Sequence, residues 1–105
     1  MRMIVPAMLA LAGATMFASA QDMSDEEALA VAHRHCAGCH AERPAHPAFD
    51  KPPKDIALET LAQLKQHARI VYQQTVQNRA MPLGNATGMT EAERSAFGRW
   101  LKAQP

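Results

Sequence analysis

An all-α domain of three main helices is expected from three features of the chain. The box S/T-x-x-E/Q occurs at Ser24–Glu27, Thr60–Gln63 and Thr90–Glu93. Each box is followed by apolar residues at steps of three and four, the helical period. No stretch alternates apolar and polar residues as a half-buried strand does. In such a box the hydroxyl accepts from the N3 backbone N–H, and the N3 side chain accepts from the cap's own N–H. Two of the donors left over at a helix start are thereby satisfied. Acids at 25–27, 91 and 93 also suit the positive end of a helix dipole.

Residues 1–20 read as a secretory signal: Arg2, an apolar run from Met3 to Phe17, then Ala18-Ser19-Ala20 at the cleavage point. The run is short for a membrane anchor, and Pro6 interrupts it. The expected division is a leader over 1–20 and one domain over 21–105. The remaining 85 residues carry ten basic and ten acidic side chains, so the domain is formally neutral. A neutral chain with no basic stripe is not a nucleic-acid binder. After cleavage no apolar segment is long enough to span a bilayer. A monomer exported to the periplasm is the expected state.

The first helix is expected from Asp25 into Cys39, with Ala28, Leu29, Ala32, Cys36 and Cys39 on its inner face. The second is expected over Leu61–Asn78, with Leu61, Leu64, Ala68, Val71 and Tyr72 inward. The third is expected from Glu91 to about Ala103, with Ala92, Ala96, Phe97, Trp100 and Leu101 inward. Gly98 suits a close approach to another helix there. Between the first two, prolines at 44, 47, 52 and 53 make Ala41–Glu59 an extended loop. A second loop, Ala80–Met89, carries Pro82, Gly84 and Gly88. Loops this long in a small domain are usually functional. Only four aromatics follow residue 20: Phe49, Tyr72, Phe97 and Trp100. A core that thin needs another filler.

Cys36-Ala37-Gly38-Cys39-His40 supplies one. C-x-x-C-H is the attachment signal of a c-type haem. At i, i+3 and i+4 of a helix, two thiols and an imidazole point the same way. The thiols can form thioethers with the two vinyl groups while His40 binds the iron. A thioredoxin-like centre would want a strand before the motif. A structural zinc site would want a second pair of ligands. Neither is visible.

The sixth iron ligand decides what such a haem does, since His/Met ligation favours electron transfer at raised potential. Met23 and Met89 precede capping boxes and read as packing residues. Met81 lies in the second loop, before Pro82, whose fixed φ stiffens the approach. Met81 is therefore the expected distal ligand. Any one of His33, His35, His46 and His67 is the alternative distal ligand; His33 and His35 are otherwise expected near the surface, and His67 mid-helix.

Residues 24–105 resemble a small class I (monohaem) cytochrome c. The likeness rests on a helix ending in Cys36-x-x-Cys39-His40, the Met81-Pro82 loop and a last helix with Trp100. The run from Asn78 to Thr90, with Pro52-Pro53-Lys54 and Ile70–Gln74, is similar to the cytochrome domain fused to bacterial membrane-bound urate oxidases. The resemblance implies a class I cytochrome c fold, three main helices around one covalently bound haem c. It implies an electron carrier rather than an enzyme, with an oxidase or dehydrogenase as redox partner. It also implies a loop proline whose carbonyl accepts from His40; Pro47 and Pro52 are candidates, Pro52 the favoured one. Arg69, Tyr72, Arg79 and Trp100 are candidate propionate partners. Lys51, Lys54, Lys65 and Lys102 are few and mixed with acids, so no strong basic steering ring is expected. The rival readings are a haem protein with an open or labile distal site, and a dedicated subunit of a purine- or urate-oxidising enzyme.

Overall fold

The computed structural model describes residue 3 and residues 22–105; the expected leader lies outside the described residues. The domain is all-α, with no strand among the described residues. Its helices are α1 (Asp25–His35), α2 (Leu61–Gln66), α3 (Ala68–Tyr72) and α4 (Glu91–Lys102). A π-turn, Gln73–Gln77, continues α3. The α2–α3–π-turn path fills the place of the second expected helix, so three main helical rods result. No helix among the described residues is long and apolar enough to cross a membrane.

All three starts are capped by the expected hydroxyl: Ser24, Thr60 and Thr90 each accept from the N3 backbone N–H. The full box closes at two of them, where Thr60 and Thr90 donate their own backbone N–H to the Gln63 and Glu93 side chains; Ser24 makes the hydroxyl half. Met23 and Met89 stand just before the caps. Met89 is buried in the core, and Met23 packs against it.

The core joins Ala28, Val31 and Ala32 of α1 to Leu64, Ala68 and Val71, and to Phe97, Trp100 and Leu101 of α4. Leu58, from the first loop, joins them. The Phe97 and Trp100 rings are nearly parallel, with centroids 6.4 Å apart. Trp100 Nε1–H donates to Asp25 at 3.0 Å and ties the end of α4 to the start of α1. That bond, with Lys65 at 3.2 Å, holds the Asp25 carboxyl below its ordinary pKa. A Cβ on Gly98 would meet Val76 Cγ2 at 2.8 Å, so the glycine lets α4 lie close against the π-turn.

Four expectations need correction. Helix α1 ends at His35, not Cys39, because Ala37 N–H reaches back five residues to Ala32 and widens the turn. Its inner face includes Val31 and His35, while Leu29 is only partly buried. Helix two breaks at His67 (φ −100°, ψ 11°), with no glycine or proline to mark the place. In α4, Ala92 is exposed and the inner face carries Arg94 instead.

Candidate functional site

A cleft of about 700 Å³ is lined by Cys36, Cys39 and His40 together with Met81. Four of the five site residues expected from the sequence therefore share one cavity; Pro52 is not among its lining residues. Its walls are apolar, from Phe49, Ile56, Leu58, Ile70 and Val71. That size lies within the roughly 300–1,000 Å³ of small-molecule and cofactor pockets.

After α1 the chain makes a second, tighter turn. His40 N–H donates to the Cys36 carbonyl at 2.8 Å, and Cys39 N–H reaches the same oxygen at 3.2 Å. The motif thus keeps one closed turn although the regular helix has ended. Burial, with Cys39 beside it, pushes the Cys36 thiol up to about 12. Such a thiol stays protonated and is a poor redox nucleophile, which needs a lowered pKa. Both cysteines are free thiols. Among the described residues no group of three or more His, Cys, Asp and Glu side chains is placed to hold a metal ion. A tetrahedral zinc site thus has no ligand set among those residues.

The first loop is fastened to His40 at two points. Leu58 N–H donates to the His40 carbonyl at 2.7 Å, and His40 Nδ1 lies 2.7 Å from the Ile56 carbonyl. A carbonyl only accepts, so Nδ1 carries the proton and Nε2 keeps its lone pair. The imidazole's partner is thus Ile56, and neither Pro52 nor Pro47 fills that role. The Pro52 carbonyl accepts from Asp55 N–H at 3.0 Å. Any residue offers a backbone carbonyl, so side-chain identity gave no signal for Ile56.

The second loop brings Met81 in from the end of the π-turn. There the ladder widens, with Asn78 N–H on the Gln73 carbonyl. The Gln74 carbonyl then accepts Met81 N–H at 2.9 Å. Further along, Asn85 closes the loop by exchanging two bonds with the Met89 backbone, at 2.9 and 3.0 Å. Asn85 sits at φ +48°, a region asparagine tolerates.

His35 lines the cleft and is nearly buried rather than solvated. Its Nε2 lies 3.2 Å from Glu93, an acceptor, and its Nδ1 lies 2.8 Å from the Thr87 hydroxyl. In neutral His35, Nε2–H donates to Glu93 and Nδ1 accepts from Thr87. Arg34 donates to the same Glu93 oxygen at 2.7 Å. That bond, more than the Thr90 and His35 bonds, holds the Glu93 carboxyl down to about 2 against burial, which alone would raise it.

A depressed carboxylate stabilises the fold above its unfolded pKa of 4.5, and that contribution fades as pH falls from there toward 2. Glu93→Gln keeps the capping box but removes the charge. The variant is expected to melt below wild type at pH 7. The gap should close as pH falls from about 4.5 toward 2, followed by thermal melts in one buffer series. Parallel melting curves across that range would refute the account.

None of the four expected propionate partners lines the cleft. Trp100 bonds Asp25, and Arg79 pairs with Glu91. Arg69 and Tyr72 line a separate cavity of about 520 Å³. The polar groups that do line the cleft include His46, Lys54, Gln74 and Thr87, with no carboxylate side chain among the lining residues. Sequence reading assigned neither His46 nor Lys54 to the cleft, because only the folded first loop brings them to it.

No protein-family model, curated protein or solved structure matches the chain.

Proposed function

We propose that the domain is an exported class I cytochrome c that carries single electrons on one covalently bound haem. The observation that carries this reading is the shared cleft: Cys36, Cys39 and His40 meet Met81 in one apolar cavity of about 700 Å³. The donor set fits. Two thiols spaced as C-x-x-C offer the attachment points. His40, with Nδ1–H donated to Ile56, keeps Nε2 as a lone-pair donor for iron, and the bond raises its basicity. Met81 offers a soft thioether. When bound, the haem supplies a one-electron ferric/ferrous couple.

The protein's own residues would hold and shield that couple. Phe49, Ile56, Leu58, Ile70 and Val71 exclude water from the cleft, and low polarity around a haem sets its potential. His46 and Lys54, with no opposing carboxylate on the lining, would suit the propionates. His/Met ligation by His40 and Met81 would favour electron transfer, so the reading is a carrier rather than an enzyme. Its partners would be redox proteins such as an oxidase or dehydrogenase.

The test is the intact mass of the exported protein after acid–acetone extraction, with one oxidised and one reduced optical spectrum. The expected mass is the chain from residue 21 plus one haem. A mass equal to bare polypeptide would end the proposal.

A further inference from the structure

Arg94 is a buried cation without an adequate counter-charge. It is 7 % exposed, on the inner face of α4. Among the described residues its Nε has no hydrogen-bond partner. The nearest carboxylate oxygen in an ion pair with it, Glu91 Oε1, is 4.0 Å from Nε, and that side chain is 76 % exposed and also engaged by Arg79. Burying a charge on such terms is expensive. A core position on α4 would be filled more cheaply by leucine or methionine.

The bonds Arg94 does make share one neighbourhood. Its Nη1 donates to the Thr75 carbonyl at 2.6 Å and to the Met81 carbonyl at 2.9 Å. The π-turn leaves the Thr75 oxygen outside the regular ladder. Met81 N–H is meanwhile held by Gln74. Both polar groups of the Met81 backbone are thus fixed, the N–H by the π-turn and the C=O by α4. Apart from Arg94, the described residues provide no hydrogen bond to the Met81 carbonyl.

We propose that Arg94 is a positioning residue that holds the Met81 backbone in place, so that the thioether stays presented to the cleft against competing ligands. This rests on the reading of Met81 as the distal haem ligand. Arg94 touches neither iron nor haem in this account; it acts through the carbonyl of Met81. Removing the guanidinium leaves two carbonyls short of a donor and frees the loop to swing out. An external ligand then competes with a less favoured closed state, so its apparent affinity rises in proportion to the gain in open-state population.

The experiment uses the ferric holoprotein and imidazole as probe, with the sulfur-to-iron charge-transfer band as readout. Arg94→Met is expected to bind imidazole at least tenfold more tightly than wild type. Leu64→Ala, a fully buried core truncation away from the cleft, should lower the melting temperature yet leave imidazole affinity unchanged. If Arg94→Met does not accumulate as holoprotein, Arg94→Gln is read against the same threshold. A wild-type band with imidazole affinity in the Arg94 variant within twofold of wild type overturns the proposal alone. So does an equal rise in Leu64→Ala. A wild-type protein with no such band overturns the Met81 ligation itself, and the proposal with it.

Discussion

Changing Cys36 and Cys39 together to alanine is expected to abolish the folded state, not merely the colour. The cleft they line measures about 700 Å³ in a domain whose described part starts at residue 22. At roughly 24 cal/mol per Å³, an apolar void of that size would cost about 17 kcal/mol. That is beyond the ~5–15 kcal/mol range of net stability for a whole domain. Water entering the mouth of the cleft lowers the cost, and the walls can collapse, but neither keeps the observed packing. Among the described residues the largest fully buried side chains are just Phe97 and Leu64. The double variant should be exported at bare polypeptide mass and show no cooperative melt by near-ultraviolet dichroism. A cooperative transition in haem-free protein would show that the three helical rods suffice by themselves.

Met81→Ala is expected to change the chemistry while sparing the fold. Met81 is partly buried, and its backbone bonds to Gln74 and Arg94 do not use the side chain. Without the thioether the charge-transfer band should vanish, and ferrous protein should bind carbon monoxide at neutral pH. The potential should fall by on the order of 0.1 V, a fraction of the ~0.8 V range that axial ligation spans. Met89→Ala should instead cost about 2–5 kcal/mol of stability, because Met89 is 3 % exposed in the core, and should leave the band. Loss of the band in Met89→Ala, with retention in Met81→Ala, would reverse the assignment. Ready binding of carbon monoxide by wild type would favour an open distal site over the carrier.

What was legible in the chain was local. Ser24, Thr60 and Thr90 cap helices because their hydroxyls bond groups three residues away, and sequence encodes that distance directly. Cys36, Cys39 and His40 stand at a diagnostic spacing, and Met81 stands in a loop before a proline, so the sequence pointed to their meeting in one cleft. Contacts made by backbone carbonyls were not. Ile56 could replace Pro52 as partner of His40 because every residue bears that acceptor. Nothing local marks Arg94 as buried, since a charge on an amphipathic helix is ordinarily solvated. The same holds for His35, whose partners Thr87 and Glu93 are distant in sequence. The break at His67 left no trace, as the residue is an ordinary helix former.

The π-turn at Gln73–Gln77 is also a matter of counting. An α-helix advances about 100° per residue, and a π-turn accommodates one residue more than the α-ladder would. Delete one residue there and the ladder can close normally, with every helical bond intact and little local penalty. The cost would fall on what the wide turn leaves free: the Thr75 oxygen, which Arg94 takes, would return to the ladder. Arg94, anchored on α4, would then face a different peptide. Length in this short stretch is thus under tighter constraint than composition: the side chains of Gln73 and Gln77 are exposed and replaceable, but their number is not. Substitutions of Gln73 and Gln77 should be tolerated widely, single-residue deletions hardly at all.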